Sequence, residues 1–293
     1  MTAAIVTMDP LIEALLVALD FSKPKHRVEC PACGRGPKDR TMGVTLDADG
    51  GAVWHCFRCD LVGARGPDHQ TTQRIGRPVA RPAEPQQFAT LAPRWSAYWD
   101  QLGPLRDDGA AYLKARGCMI PPADGDLRFD PRARHPSGYT GPAIVARVTD
   151  AVDARLARTL HRTWIRPDGT KADIKPPRLF LEGHRKAGGV IRLWPDDAIT
   201  SGLGIAEGIE SALSAARVFK PMWSCLDAGN LGQFPSLSAV EALTIFTDHD
   251  SPGLRAAEAC ALRWSDAGRQ ARIVRPPEAG QDMNDFIQEA CHG

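Results

Sequence analysis

The stretch Gly204-Ile205-Ala206-Glu207-Gly208-Ile209-Glu210-Ser211-Ala212 decides how the last third of the chain is read. A short apolar run ends on a carboxylate, Gly208 lets the backbone turn sharply, and a helical pattern begins. The same succession continues around it. Apolar runs at 202–206, 222–226, 243–247 and 271–274 read as strands, and 209–218, 237–242, 252–266 and 285–290 read as helices. Such alternation predicts an α/β fold with a mainly parallel sheet flanked by helices. In that architecture the strand ends converge on one crevice, where ligands bind.

Two further acidic clusters follow. Ile245-Phe246-Thr247-Asp248-His249-Asp250-Ser251-Pro252-Gly253 ends a strand in D-x-D, and Gly280-Gln281-Asp282-Met283-Asn284-Asp285-Phe286 adds a third group. Alternation along an extended segment puts Asp248 and Asp250 on the same side. Acids at helix N-termini are common caps, so any one cluster alone carries little weight. Crowded together, these carboxylates repel unless a hard cation holds them. Mg²⁺ favours such oxygen ligands together with substrate phosphates. The expected cation site is Glu207, Asp248, Asp250 and Asp282, with Asp285 as a further acid. His249 reads as the D-x-D spacer, pointing away. Glu210 and Ser211 read as first-turn residues, with a supporting role as the alternative.

The 293 residues allow two domains and a small third module. The 43% hydrophobic and 24% charged fractions are ordinary for a globular protein. The net charge of +1 conceals an uneven distribution. Residues 131–192 hold 13 Lys/Arg against 5 Asp/Glu, whereas residues 200–293 hold 7 against 12. A basic middle beside an acidic end suits a polyanion held next to a cation site; two solvated surfaces of opposite sign are the plainer alternative. No run approaches the length of a membrane span, and the N-terminus lacks a secretory signal. The apolar residues of 11–19 have helical spacing, with Asp9 as cap and Pro10 in the first turn. A cytoplasmic protein is expected. Disulfides are rare in that compartment, so the eight cysteines need another explanation.

Cys30-Pro31-Ala32-Cys33 and Cys56-Phe57-Arg58-Cys59 supply it: two C-x-x-C knuckles separated by 22 residues. Four thiolates at this spacing can close a tetrahedral Zn²⁺ site, a zinc ribbon. Asp49-Gly50-Gly51 reads as a hairpin turn between the knuckles. A redox dithiol or simple burial are the alternatives; His26 and His55 are nearby but surplus to a four-cysteine site. Cys118, Cys225, Cys260 and Cys291 read as small packed residues. The expected organisation is a helix and zinc module over 1–62, then a Pro-, Gly- and Gln-rich linker over 63–93. A basic α+β region over 94–199, opening with a helical stretch to Gly117, leads to the acidic α/β domain over 200–293.

Val53-Trp54-His55-Cys56-Phe57-Arg58-Cys59, with Gly63 after it, resembles the second knuckle of the zinc-binding domain of bacterial and phage DNA primases. That family often has a histidine among its ligands and glycine where Asp60 stands here. The three acidic motifs together resemble the Toprim domain of DnaG-type primases, topoisomerases, OLD-type nucleases and RecR proteins. By motif, the resemblance implies Glu207 as the acid/base or metal-binding glutamate, Asp248 and Asp250 as metal ligands, and Asp282 as the later acid. Ala228-Gly229-Asn230 matches a small-residue turn of the primase branch. The preceding segment looks like the basic region of phage and mobile-element primases, with Arg162, Lys171, Lys175, Arg178, Arg185 and Lys186 as nucleic-acid contacts. Such contacts give salt-dependent, largely sequence-independent affinity.

The resemblance implies a primase: template-directed synthesis of short RNA primers on single-stranded DNA from ribonucleoside triphosphates, with Zn²⁺ in the ribbon and Mg²⁺ or Mn²⁺ on the carboxylates. The sequence carries no helicase motor, so a replicative helicase on another chain is the expected partner. A Toprim nuclease and a non-catalytic RecR-like DNA-binding protein are the alternatives. OLD-type nucleases usually carry an ATPase, and no GxxxxGK(S/T) motif is present.

Overall fold

The computed structural model describes residues 10–34, 36, 39–47, 49–59, 61–66 and 90–292. Asp9, Asp60 and most of the expected linker lie outside the described residues. The chain divides into two compact units, residues 1–83 and 84–293. Among the described residues, no helix is long and apolar enough to cross a membrane.

The first unit opens with α1 (Pro10–Val17), shorter than the expected 11–19. A four-stranded antiparallel sheet follows in sequence order: β1 (Lys25–Val28), β2 (Met42–Leu46), β3 (Ala52–Cys56) and β4 (Val62–Arg65). Period-two alternation turns Met42, Val44 and Leu46 inward, against Trp54 and the α1 residues Ile12 and Leu16. The expected hairpin turn joins β2 to β3, with Gly50 in the left-handed region at φ 87°. Gly63 is required for another reason. A Cβ there would fall 2.3 Å from the Trp54 ring, so β4 can cross the indole only without a side chain. So small a core leaves much of the folding energy to the cysteine site.

In the second unit the helical stretch expected over 94–117 is two helices, α2 (Pro93–Gln101) and α3 (Asp107–Ala115). Gly103 and Pro104 interrupt it, and Gly103 instead bridges Phe129. Five strands follow: β5 (Leu127–Arg134), β6 (Thr140–Asp150), β7 (Ala157–Trp164), β8 (Arg178–Phe180) and β9 (Gly189–Arg192). Then come β10 (Gly202–Ala206), α4 (Ile209–Ala215), β11 (Met222–Ser224), α5 (Ala228–Gly232) and β12 (Ala242–Phe246). α6 (Ser251–Asp266), β13 (Gln270–Val274) and α7 (Met283–His292) complete the chain. The helix expected at 237–242 is absent. Leu237–Val240 makes a turn with Val240 N–H on the Leu237 carbonyl, and Ala242 already belongs to β12. The helix forms earlier, as α5, because Asp227 caps it by accepting the Asn230 N–H at 2.9 Å.

All nine strands of this unit share one mixed sheet, in the order β13-β12-β10-β11-β9-β6-β7-β8, with β5 also on β6. β13, β12, β10 and β11 run parallel, as the alternation predicts. β9 pairs antiparallel with both β11 and β6, which fuses the basic region to the acidic half. β10 is buried along nearly its whole length, matching its unbroken apolar run. One core cluster joins Leu203, Ile205 and Ile245 to Trp223, Phe234 and Trp264. A second joins Leu213, Phe246, Met283 and Ile287 to Tyr112, Leu113 and Phe129 of the basic region.

Candidate active site and metal centre

In the first unit the four knuckle cysteines converge. Their sulfurs all lie within 4.8 Å of one another, with Cys30–Cys59 at 3.7 Å and Cys33–Cys56 at 3.5 Å. A tetrahedron with Zn–S bonds of about 2.3 Å has edges of about 3.8 Å, so the donor set fits Zn²⁺. The Arg58 N–H donates to Cys56 Sγ at 3.4 Å, as a knuckle that stabilises thiolates should. Burial, followed by the neighbouring sulfurs, pushes Cys33 up to about 12. Four bare thiolates therefore need a cation to coexist there.

In the second unit, β10 and β12 deliver their terminal carboxylates to one cavity of about 450 Å³. Glu207 follows β10, Asp248 follows β12, and Asp282 precedes α7; all three line the cavity. Asp248 Oδ1 accepts the Met283 N–H at 2.9 Å, and Asp282 Oδ1 accepts the Asp285 N–H at 2.8 Å. Asp250 Oδ1 caps α6 by accepting the Gly253 N–H at 2.8 Å. Each aspartate thus spends one oxygen on the backbone, and Asp248 and Asp282 reach the cavity. Gly253 is needed at this cap, since a Cβ would sit 2.7 Å from Thr247 Oγ1 and 3.0 Å from Asp250 Oδ1.

Electrostatics separates these carboxyls. Burial, then the charges of Asp248, Asp250 and Asp227, raise Glu207 to about 7. Asp248 is raised by burial and by Asp282, Asp250 and Asp285, against the lowering effect of the Met283 N–H. Carboxyls that raise one another in this way suit a cation, which would relieve their repulsion. Among the described residues only the four cysteines bring three or more ligand atoms within 4.8 Å of one another. The carboxylates are therefore spread along the cavity rather than drawn to one point. Asp250 does not line it, although it acts on Glu207. Oxygen donors with unspent lone pairs fit Mg²⁺ or Mn²⁺.

Residues 202–292 match the family model described as the Toprim domain. This segment is a Toprim domain. Residues 89–193 match a domain of unknown function (DUF7146). No curated protein matches the chain. Among solved structures, a DNA primase domain from Pseudomonas aeruginosa is 15% identical with a TM-score of 0.42, covering 67% of this chain and 74% of its own. The Aquifex aeolicus primase, with zinc-binding and RNA polymerase domains, is 14% identical with a TM-score of 0.43, covering 96% and 83%. The primase fragment of the bacteriophage T7 primase-helicase protein is 14% identical with a TM-score of 0.42, covering 91% and 95%.

The basic region sends three cations to the Toprim cavity: Arg116 after α3, Lys171, and Arg178 at the start of β8. Lys171 and Arg178 are two of the six residues expected to contact nucleic acid. Lys175 and Arg185 are exposed and do not line the cavity. Lys186 pairs with Asp227 at 2.7 Å. Arg162 is buried. Its guanidinium lies 5.5 Å and 5.1 Å from the rings of Trp95 and Trp164, and it donates to the Arg134 carbonyl at 3.3 Å. Its place is in the packing, away from the cavity.

Other residues at the site escaped the sequence reading. Asp227 adds a third negative charge felt by Glu207. Leu226 lines the cavity at φ 75°, a left-handed conformation strained for a leucine. Asn284 is 3% exposed and lines the cavity. Its Oδ1 accepts from Ser214, while Nδ2 is buried with no partner among the described residues. His161 also lines the cavity, and burial, followed by Arg178 and Lys186, lowers it to about 4. The imidazole is therefore neutral near pH 7. His249 turns to Arg275, whose Nη1 lies 2.7 Å from Nε2.

Proposed function

We propose that the chain is a primase-type nucleotidyltransferase that makes short RNA primers on single-stranded DNA. One observation carries this reading. Glu207, Asp248 and Asp282 share a cavity with Arg116, Lys171 and Arg178, so one site has the donors for both a divalent cation and a polyphosphate. A site that only cuts DNA has less use for three cations beside its carboxylates. A triphosphate substrate needs both.

Asp248 and Asp282, which line the cavity, would hold Mg²⁺ or Mn²⁺, with Asp250 adding its charge beside them; the ion would supply Lewis-acid stabilisation of the phosphate oxygens and of the departing pyrophosphate. The chain's own groups do the rest. Lys171 and Arg178 orient the triphosphate. Glu207, raised to about 7, is poised to accept the proton of the attacking 3′-hydroxyl near neutral pH. Neutral His161 adds no charge to the cavity. The exposed Lys175 and Arg185 contact the DNA backbone, and the zinc module binds template. The expected partners are single-stranded DNA, ribonucleoside triphosphates and a helicase on a separate chain.

The test is incubation with single-stranded DNA, labelled ribonucleoside triphosphates and Mg²⁺. Short labelled oligomers support a primase. Shortened DNA without labelled product means a nuclease, and retention alone means a binding protein.

A further inference from the structure

Glu210 has no part in the carboxylate set described above, yet its carboxylate sits among Tyr112, Arg116, Lys171 and Arg178 of the basic region. It sits in the first turn of α4, with its side chain 17% exposed. Its Oε1 accepts the Tyr112 hydroxyl at 2.6 Å and lies 3.6 Å from Lys171 Nζ and 3.7 Å from Arg178 Nη2. Its Oε2 accepts from Arg116 Nη2 at 3.2 Å. The partners come from α3, the segment before β8 and β8 itself, so one carboxylate gathers three separate pieces of chain.

Three cations this close repel one another, and one buried carboxylate cannot neutralise them. The cluster retains a net charge of about +2. An acid whose only task was to staple α4 to α3 would need Tyr112 and Arg116 alone. Lys171 and Arg178 also line the cavity, where their remaining N–H donors are available to an anion.

We propose that Glu210 is a positioning residue that holds Arg116, Lys171 and Arg178 as a preformed seat for the polyphosphate of the substrate. The inference rests on the nucleotidyltransferase reading for the identity of that substrate, although the seat itself does not. Preorganisation is the advantage. Without Glu210 the three cations spread apart, and the incoming anion must order them at its own cost.

Inorganic triphosphate is the probe, titrated calorimetrically into the zinc-loaded full chain without Mg²⁺. The wild type is expected to bind it, and Glu210→Gln to weaken binding roughly tenfold or more. In nucleotide incorporation, Glu210→Gln should raise KM for the triphosphate with kcat nearly unchanged; a purely structural role would instead lower the folded fraction and scale kcat. A folded Glu210→Gln that binds triphosphate as tightly as the wild type overturns the proposal. Should that variant not fold, Arg178→Gln decides, because that side chain is half exposed. Loss of triphosphate binding in it supports the seat, and unchanged binding overturns it. Triphosphate binding that depends on Glu210 in a protein that makes no primers would refute the primase reading while leaving the seat intact.

Discussion

Glu207 and Glu210 flank the N-cap Gly208 at the β10–α4 junction, and their surroundings drive them in opposite directions. Glu207 is raised to about 7 by burial and by the neighbouring aspartates. Glu210 is also buried, but the Tyr112 hydroxyl, Lys171, Arg178 and Arg116 outweigh burial and hold it below the usual carboxylate range. A proton-holding carboxyl and a permanently ionised one in a single cavity divide the work of acid/base chemistry and electrostatic organisation.

This separation predicts a pH-dependent stability. Glu207 binds its proton more tightly in the folded chain than in the unfolded one, where its value is the ordinary 4.5. The proton therefore stabilises the fold fully below about 4.5, and that contribution is lost as pH rises through about 7. Asp248, also raised, acts in the same sense. In Mg²⁺-free buffer at pH 8, Glu207→Gln should be more stable than the wild type by about 1–3 kcal/mol, with the difference vanishing near pH 4. Chemical denaturation across this range checks it. Parallel curves for the two proteins would mean that Glu207 is not the raised group.

Asp248 has two tasks, and substitutions can separate them. Its Oδ1 holds the start of α7 through the Met283 N–H, while the other oxygen is kept for a cation. Asp248→Asn can retain the first bond and loses the charge. By the same linkage it should melt at or above the wild-type temperature in Mg²⁺-free buffer near pH 8, while primer synthesis falls by about 100-fold or more. Asp248→Ala should lose activity and also about 1–2 kcal/mol of stability. Intact synthesis in either variant would remove Asp248 from the metal site.

The four-cysteine module should depend on a bound metal for its fold. The core of the first unit is small, built on Ile12, Leu16, Met42, Val44 and Trp54. Elemental analysis should find about one zinc per chain, and Cys33→Ser should abolish it. Chelation should then expose the amides of β2 and β3 to hydrogen exchange. Those of β10 and β12 should stay protected, because they belong to the other unit.

The parts of this chain that announced themselves were local. Cys30, Cys33, Cys56 and Cys59 share a spacing that only a small set of structures uses, and they converge within 4.8 Å. β10 and β12 were legible because strands buried on both faces read as unbroken apolar runs, each ending on an acid. What was hidden is long-range. Nothing near Arg192 or Trp223 says that these residues pair across β9 and β11, and that pairing turns a parallel sheet into a mixed one. Tyr112 and Glu210 are 98 positions apart, so the hub could not be read from either helix. In the sequence Arg162 is one basic residue among many. Its neighbours Trp95 and Trp164, which decide its role, lie on α2 and further along β7.

Arg162 therefore supplies a contrast with the exposed cations. The residue is 9% exposed and its guanidinium lies over two indoles, so Arg162→Ala should lower stability by about 1–3 kcal/mol through lost packing and cation–π contact. DNA affinity in the folded fraction should barely move, and its salt dependence should stay the same. Lys175→Ala and Arg185→Ala remove charges in contact with solvent and should leave the melting temperature unchanged. Each should flatten the dependence of log affinity on log salt for single-stranded DNA by about 0.7 if it neutralises one phosphate. Fluorescence anisotropy at several salt concentrations, run beside thermal melts, separates the two behaviours. A salt slope altered by Arg162→Ala but unaffected by the exposed pair would reverse the assignment, placing the DNA path over β7 rather than along the surface that carries Lys175 and Arg185.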